Sequence, residues 1–195
     1  MKKFSIVWAL CLAPVLGHAQ PADQDPRDTW WENLTALCGK AFAGEMTGFA
    51  RPADDGWLGK RVVMHVRECS ESEIRIPLHV GENRSRTWVI TRTEDGFRLK
   101  HDHRHEDGSE DEVTWYGGHT KDPGRATRQT FPVDDYSRAL FLANGLDAST
   151  GNLWSMEVHA GETFAYELVR SRRHFRAEFD LTEPVEPPPA PWGYE

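Results

Sequence analysis

The chain is short of cysteine, has no long apolar run beyond its first residues, and carries no surplus of positive charge. Three cysteines in 195 residues allow at most one intramolecular disulfide. The lack of a second apolar stretch leaves nothing long enough for a permanent helical anchor. A net charge of −8 argues against nucleic acid and anionic membrane as partners, because both are bound through clustered Lys and Arg. No glycine loop suited to cradling phosphate is present. Ser137, Ser155 and Ser171 sit in no nucleophile-elbow context. There is no internal repeat.

What the chain does have begins with a leader. Lys2 and Lys3 precede an apolar run over residues 4–16, and Gly17-His18-Ala19 offers small residues where a signal peptidase reads. This pattern predicts a signal peptide over residues 1–19, a mature start near Gln20, and a periplasmic or extracellular location in a Gram-negative bacterium. Cys11 lies inside the apolar run, so cleavage leaves Cys38 and Cys69. Two cysteines in an oxidising compartment predict one Cys38–Cys69 disulfide; two buried free thiols are the alternative. Loss of Lys2 and Lys3 lowers 23 basic residues to 21 against 31 acidic ones, so the net charge moves from −8 to −10.

About 175 remaining residues suit one domain. Residues 20–28, with Pro21 and Pro26, read as a loose arm. Residues 29–183 read as the domain. Residues 184–195 open with Pro-Val-Glu-Pro-Pro-Pro-Ala-Pro, an extended polyproline-like tail, and Trp192 gives it something to bury. Thr29-Trp30-Trp31-Glu32 fits a capping box and Gly39 a stop, which predicts a helix with Trp30, Leu34, Leu37 and Cys38 on one face. A second helix over residues 134–143 carries Tyr136, Ala139, Leu140 and Ala143 as its apolar stripe and stops at Asn144-Gly145. The rest alternates with period two, in strands at 40–49, 61–69, 74–80, 84–93, 97–106, 112–118, 126–131, 153–159, 163–170 and 173–181. Short turns between so many strands predict a mainly β fold: a single antiparallel up-and-down β-barrel of about 8–10 strands with an N-terminal and an inserted helix. An open curved sheet wrapped around the second helix is the runner-up.

The most pointed chemistry lies at residues 101–105, His-Asp-His-Arg-His. On a strand, His101, His103 and His105 share one face, about 6–7 Å apart. Asp95-Gly96 reads as a two-residue hairpin turn. That turn pairs Ile90 with His101, Trp88 with His103 and Arg86 with His105. The histidines then share the inward face with Trp88, Ile90, Phe97 and Leu99, and an apolar floor gives way to a polar mouth. This predicts a ligand site at Trp88, Ile90, Leu99, His101 and His103, near one rim of the barrel. The apolar surround should hold these histidines near or below an ordinary imidazole pKa. As a metal row, His101, His103 and His105 would need a fourth donor. Glu110 is one candidate. Glu112 is another if the preceding loop has two or four residues; a three-residue loop brings Val113 and Trp115 instead. The cofactor would then be a divalent metal. A rim cluster without metal is the plain alternative.

Two family resemblances follow from these residues. The helix, the Gly39-Lys40-Ala41-Phe42 entry and the meander resemble the lipocalin and fatty-acid-binding (calycin-type) barrels, which implies a central cavity for a small apolar or amphipathic ligand. The lipocalin Gly-x-Trp signature is absent and the helix at 134–143 departs from those families. Residues 98–106 with Trp115-Tyr116-Gly117-Gly118 also resemble a stretch of uncharacterised secreted bacterial proteins. Gly96, His103, His105, Glu110 and Gly117 resemble the first cupin motif across some 22 residues, although no second motif follows. That resemblance implies a metal-dependent enzyme, of cupin-like or carbonic-anhydrase-like geometry. Trp57, Trp115 and Trp154 invite a sugar platform, though barrel aromatics usually pack in the core. Arg170, Arg172, Arg173 and Arg176 form either an anion patch or a solvated turn.

Overall fold

A computed structural model describes residues 24–48 and 56–194. The leader at 1–19 and the first residues of the arm lie outside the described residues. Among the described residues, eleven strands, all paired antiparallel, make up the sheet: β1 (Ala41–Met46), β2 (Val62–His65), β3 (Glu68–Cys69), β4 (Glu73–Val80), β5 (Asn83–Thr93), β6 (Gly96–His103), β7 (Tyr116–His119), β8 (Arg128–Pro132), β9 (Leu153–His159), β10 (Thr163–Arg170) and β11 (Arg173–Val185). Their order is β7-β6-β5-β4-β2-β1-β11-β10-β9-β8, with β3 paired to β4 off this path. The first and last long strands pair with each other, so the chain makes a nearly closed barrel whose seam falls between β7 and β8 rather than at the termini.

Among the described residues, two α-helices manage one end and the seam. Helix α1 (Pro26–Thr35) buries Trp30, Trp31 and Leu34. Trp31 stacks on Phe97 at 5.6 Å and Trp30 lies 6.4 Å from Phe131, so α1 covers the apolar end of the barrel. Burying each such aromatic contributes about 2–3 kcal/mol. The helix starts earlier than the Thr29 box predicts. Asp25 caps it by accepting from the Arg27 amide at 2.9 Å, and Pro26 sits at the first helical position, where it loses no hydrogen bond. The loose arm therefore ends at Asp25. The turn after α1 leads into the Cys38–Cys69 disulfide, which ties it to β3.

Helix α2 (Asp135–Ala143) closes the seam from outside. Ser137 is fully buried, its hydroxyl accepting from the Gly117 amide at 2.7 Å and donating to the Gly117 carbonyl at 3.1 Å. Asp134 caps α2 and pairs with Lys100 at 2.6 Å. Gly118 bridges to Val133, and a Cβ on Gly118 would lie 1.9 Å from the Pro132 carbonyl, so only glycine lets the two edges meet. The predicted stripe of α2 is corrected. Tyr136, Ala139 and Ala143 are exposed, while Ser137 and Phe141 are buried, because the helix is held by hydrogen bonds to β7 as much as by apolar packing.

The tail also differs from expectation at its start. Pro184 and Val185 pair with Phe42 and Ala41, past a bulge in β11, where residues 180–183 loop out between Phe179 and Pro184. Beyond them the chain crosses the outer face of the sheet. The Trp192 amide donates to the Arg84 carbonyl at 3.2 Å, and His79, outward-facing in β4, is buried beneath this crossing. The Tyr194 hydroxyl donates to the carboxylate of Asp102, 1 % exposed, at 2.5 Å and accepts from Arg75 at 3.0 Å and Arg104 at 3.2 Å. We expect Tyr194→Phe to destabilise the fold by about 1–3 kcal/mol, since a buried carboxylate loses a donor. An unchanged urea midpoint would show that the tail rests on the barrel without holding it.

Candidate functional site

The β5–β6 hairpin sets the site. Its register is two residues away from the predicted one. Thr93 pairs with Gly96, Ile90 with Leu99, Trp88 with His101, and Arg86 with His103. Glu94 and Asp95 form the turn, and Gly96, at φ +146°, takes the first place of β6. A shift of two preserves the face, because side chains alternate with period two. The inward row therefore still runs from Phe97 and Leu99, beneath α1, to His101 and His103 at the opposite end. Trp88, however, stands across from His101 rather than His103.

At that opposite end lies a cavity of about 140 Å³, of the order that admits one benzene-sized ring. Trp88 forms one wall, stacked on Tyr166 at 4.5 Å. Trp57, set edge-on to Phe175 at 4.9 Å, forms another. His101 is the polar base, 5 % exposed, with both ring nitrogens engaged. Nδ1 lies 3.0 Å from the Tyr116 carbonyl, which can only accept, so Nδ1 carries the proton. Nε2 then accepts from the Tyr166 hydroxyl at 2.8 Å. Tyr116 stacks on the same imidazole at 4.6 Å. Burial pushes His101 down to about 3, outweighing the Tyr116 hydrogen bond, and pushes Tyr116 up to about 12. His101 is therefore a neutral, fixed hydrogen-bonding element.

His103, nearer the rim, is different. Its imidazole makes no hydrogen bond to any described residue. Burial, reinforced by the charge of Arg86, pushes it down to about 4. It presents one donor and one acceptor to the cavity at neutral pH. Arg86, across the hairpin from it, donates through Nη1 to Asn83 at 2.8 Å and Ser85 at 3.1 Å, and lies 5.4 Å over the Trp57 ring. Sequence alternation from Trp88 puts Arg86 on the inward face, so it was visible as a candidate. Tyr166 and Phe175 were not, because they reach the cavity from β10 and β11; Trp57, read as part of a sugar platform, reaches it from a distant loop.

The predicted sites separate accordingly. Trp88, His101 and His103 line the cavity. Ile90 and Leu99, both fully buried, belong to the core beneath it. The metal row is not assembled. Strand β6 ends at His103, and residues 104–115 form a loop in which His105 is exposed. Glu110 accepts from Arg104 at 3.3 Å and from Trp115 at 2.8 Å, and Glu112 is exposed. His101 has no lone pair to spare. Among the described residues no group of three or more His, Cys, Asp or Glu could hold a metal. The cupin-like residues His103, His105 and Glu110 diverge for the same reason. Trp115, at φ +56°, turns the chain so that β7 begins only at Tyr116. Trp154 is 1 % exposed in the core and Trp115 lies away from the cavity, so no tryptophan platform forms. Of the arginine cluster, Arg176 is bound to Glu157, Glu167 and Glu178 on the outer face, and Arg170 donates to Ser149.

Fold and site together define a mainly β, nearly closed antiparallel barrel with a small aromatic-walled cavity at one end, compatible with a calycin-like barrel. No family model, no curated protein and no solved structure matches the chain. No helix among the described residues is long and apolar enough to cross a membrane.

Proposed function

We propose that this chain is an exported, lipocalin-like barrel that binds a small molecule in the cavity between Trp88, Tyr166 and His103. The observation that carries the reading is the cavity itself. Its walls are aromatic and its few polar groups converge, the combination expected of a ligand site rather than a packing fault. At about 140 Å³ it suits a single ring or a short chain, not a fatty acid. The leader at 1–19 and the disulfide support a periplasmic or extracellular setting. Both ring nitrogens of His101 are engaged and no acidic residue among the described ones lines the cavity, which favours binding over metal-dependent catalysis.

The test uses a panel of neutral and anionic one-ring aromatics, followed by tryptophan fluorescence and by nuclear magnetic resonance shifts of cavity residues. Saturable binding with dissociation constants below about 1 mM is expected for some members. Leu168→Trp, which fills the cavity, should abolish it. If no member binds the native protein, or if Leu168→Trp binds as well as the native chain, the cavity is not a binding site.

A further inference from the structure

We infer that the cavity's ligand carries a carboxylate, held by the guanidinium of Arg86, with its ring lying between Trp88 and Trp57. The inference rests on the binding reading above and specifies its substrate class. In a chain with 31 acidic residues, the cavity wall contains two arginines and no acid among the described residues. Arg86 has no carboxylate within ion-pair distance among the described residues. Only its Nη1 is used, on Asn83 and Ser85. The Nε–Nη2 edge, the one that makes paired hydrogen bonds with a carboxylate, has no protein acceptor among the described residues.

A cation left in this state is costly. Burial works against the charge of Arg86 and lowers its pKa from the ordinary value. Asn83 and Ser85 point the guanidinium, and the Trp57 face supports it 5.4 Å away, but neither supplies negative charge. A bound anion would supply it. The neutral imidazole of His103, whose ring is also without a described hydrogen-bond partner, stands directly across the strand pair and can donate to the same anion. The aromatic walls then decide against a bare inorganic ion and in favour of an anion attached to a ring.

The experiment titrates the native, exported protein with benzoate, benzamide and inorganic phosphate. Benzoate and benzamide have the same shape and differ in charge. We expect benzoate to bind about 10- to 100-fold more tightly than benzamide, and Arg86→Met to erase that preference, because charge-assisted paired bonds are the strong ones. Arg86→Lys should keep part of the preference, since it retains charge without the fork. Phosphate should bind more weakly than benzoate. Equal binding of benzoate and benzamide overturns the carboxylate while leaving the cavity a binding site. Phosphate binding as tightly as benzoate overturns the ring. Failure of every member of the wider panel overturns the underlying reading instead. The benzoate–benzamide comparison needs no variant, so the inference stays testable even if Arg86→Met misfolds.

Discussion

Lowering the pH from 7 to 5 is expected to strip about 2 kcal/mol of stability for each histidine that is buried neutral. Two imidazoles qualify most clearly. His101 is 5 % exposed and His79 is 4 % exposed. Burial pushes His101 down to about 3 and His79 down to about 4, the latter helped by Arg84 and His65. The unfolded chain takes up protons below about 6.5 while the folded chain does not. Stability from these groups is therefore fully present above that value and falls as the pH drops toward the folded values. Together they amount to about 4 kcal/mol by pH 5, a large share of the 5–15 kcal/mol typical of a domain. Half-buried His103 adds a smaller part. The carboxylates act lower. Burial raises Glu157 and Glu167, but hydrogen bonds from Arg176, Arg128 and His174 outweigh it and hold both below the ordinary range. Their contribution disappears only as those groups protonate, below the window of the histidines. Urea unfolding at pH 7, 6 and 5 measures the slope. His101→Gln and His79→Gln should each flatten it, whatever they do to stability at pH 7. A slope that neither variant alters would place the acid sensitivity elsewhere.

Reduction of the Cys38–Cys69 bond is expected to cost about 3–4 kcal/mol, the loop-closure entropy of the 31 residues it spans. The loss should be felt first at the apolar end of the barrel. The bond anchors the chain just after α1, and α1 places Trp30 and Leu34, both fully buried, over Phe97 and Phe131. Guanidinium midpoints with and without reductant, alongside a Cys38→Ser, Cys69→Ser double variant, test this. Coincident midpoints would mean that packing alone holds the helix down.

Strand positions were legible because alternation depends on local pattern. β4, β5, β9 and β10 fall within one residue of the expected bounds, and the helix at 134–143 stands nearly as read. The hairpin register was not legible to the residue. Asp95-Gly96 is a strong turn signal, but Gly96 is used for its positive φ at the strand start, with Glu94-Asp95 at the tip. The α2 stripe was misread because its main attachment is polar, through Ser137 to the Gly117 backbone. The histidine row was half legible. His101 and His103 do face inward, but the end of β6 at His103 depends on a loop whose course no periodicity encodes.

By itself the chain determined that the fold is an antiparallel barrel, that Cys38 and Cys69 are its available pair, and that one strand turns imidazoles toward the interior. These follow from side-chain alternation, turn chemistry and residue counts, all local or additive properties. Tertiary structure alone decided what the imidazoles do. Tyr166, 65 positions from His101, engages its second nitrogen, and the departure of the chain at His103 removes His105. Distant strands leave Arg86 in a cavity to which no described residue brings a carboxylate. Such pairings depend on which strands become neighbours when the barrel closes, and closure is a property of the whole sheet rather than of any segment in it.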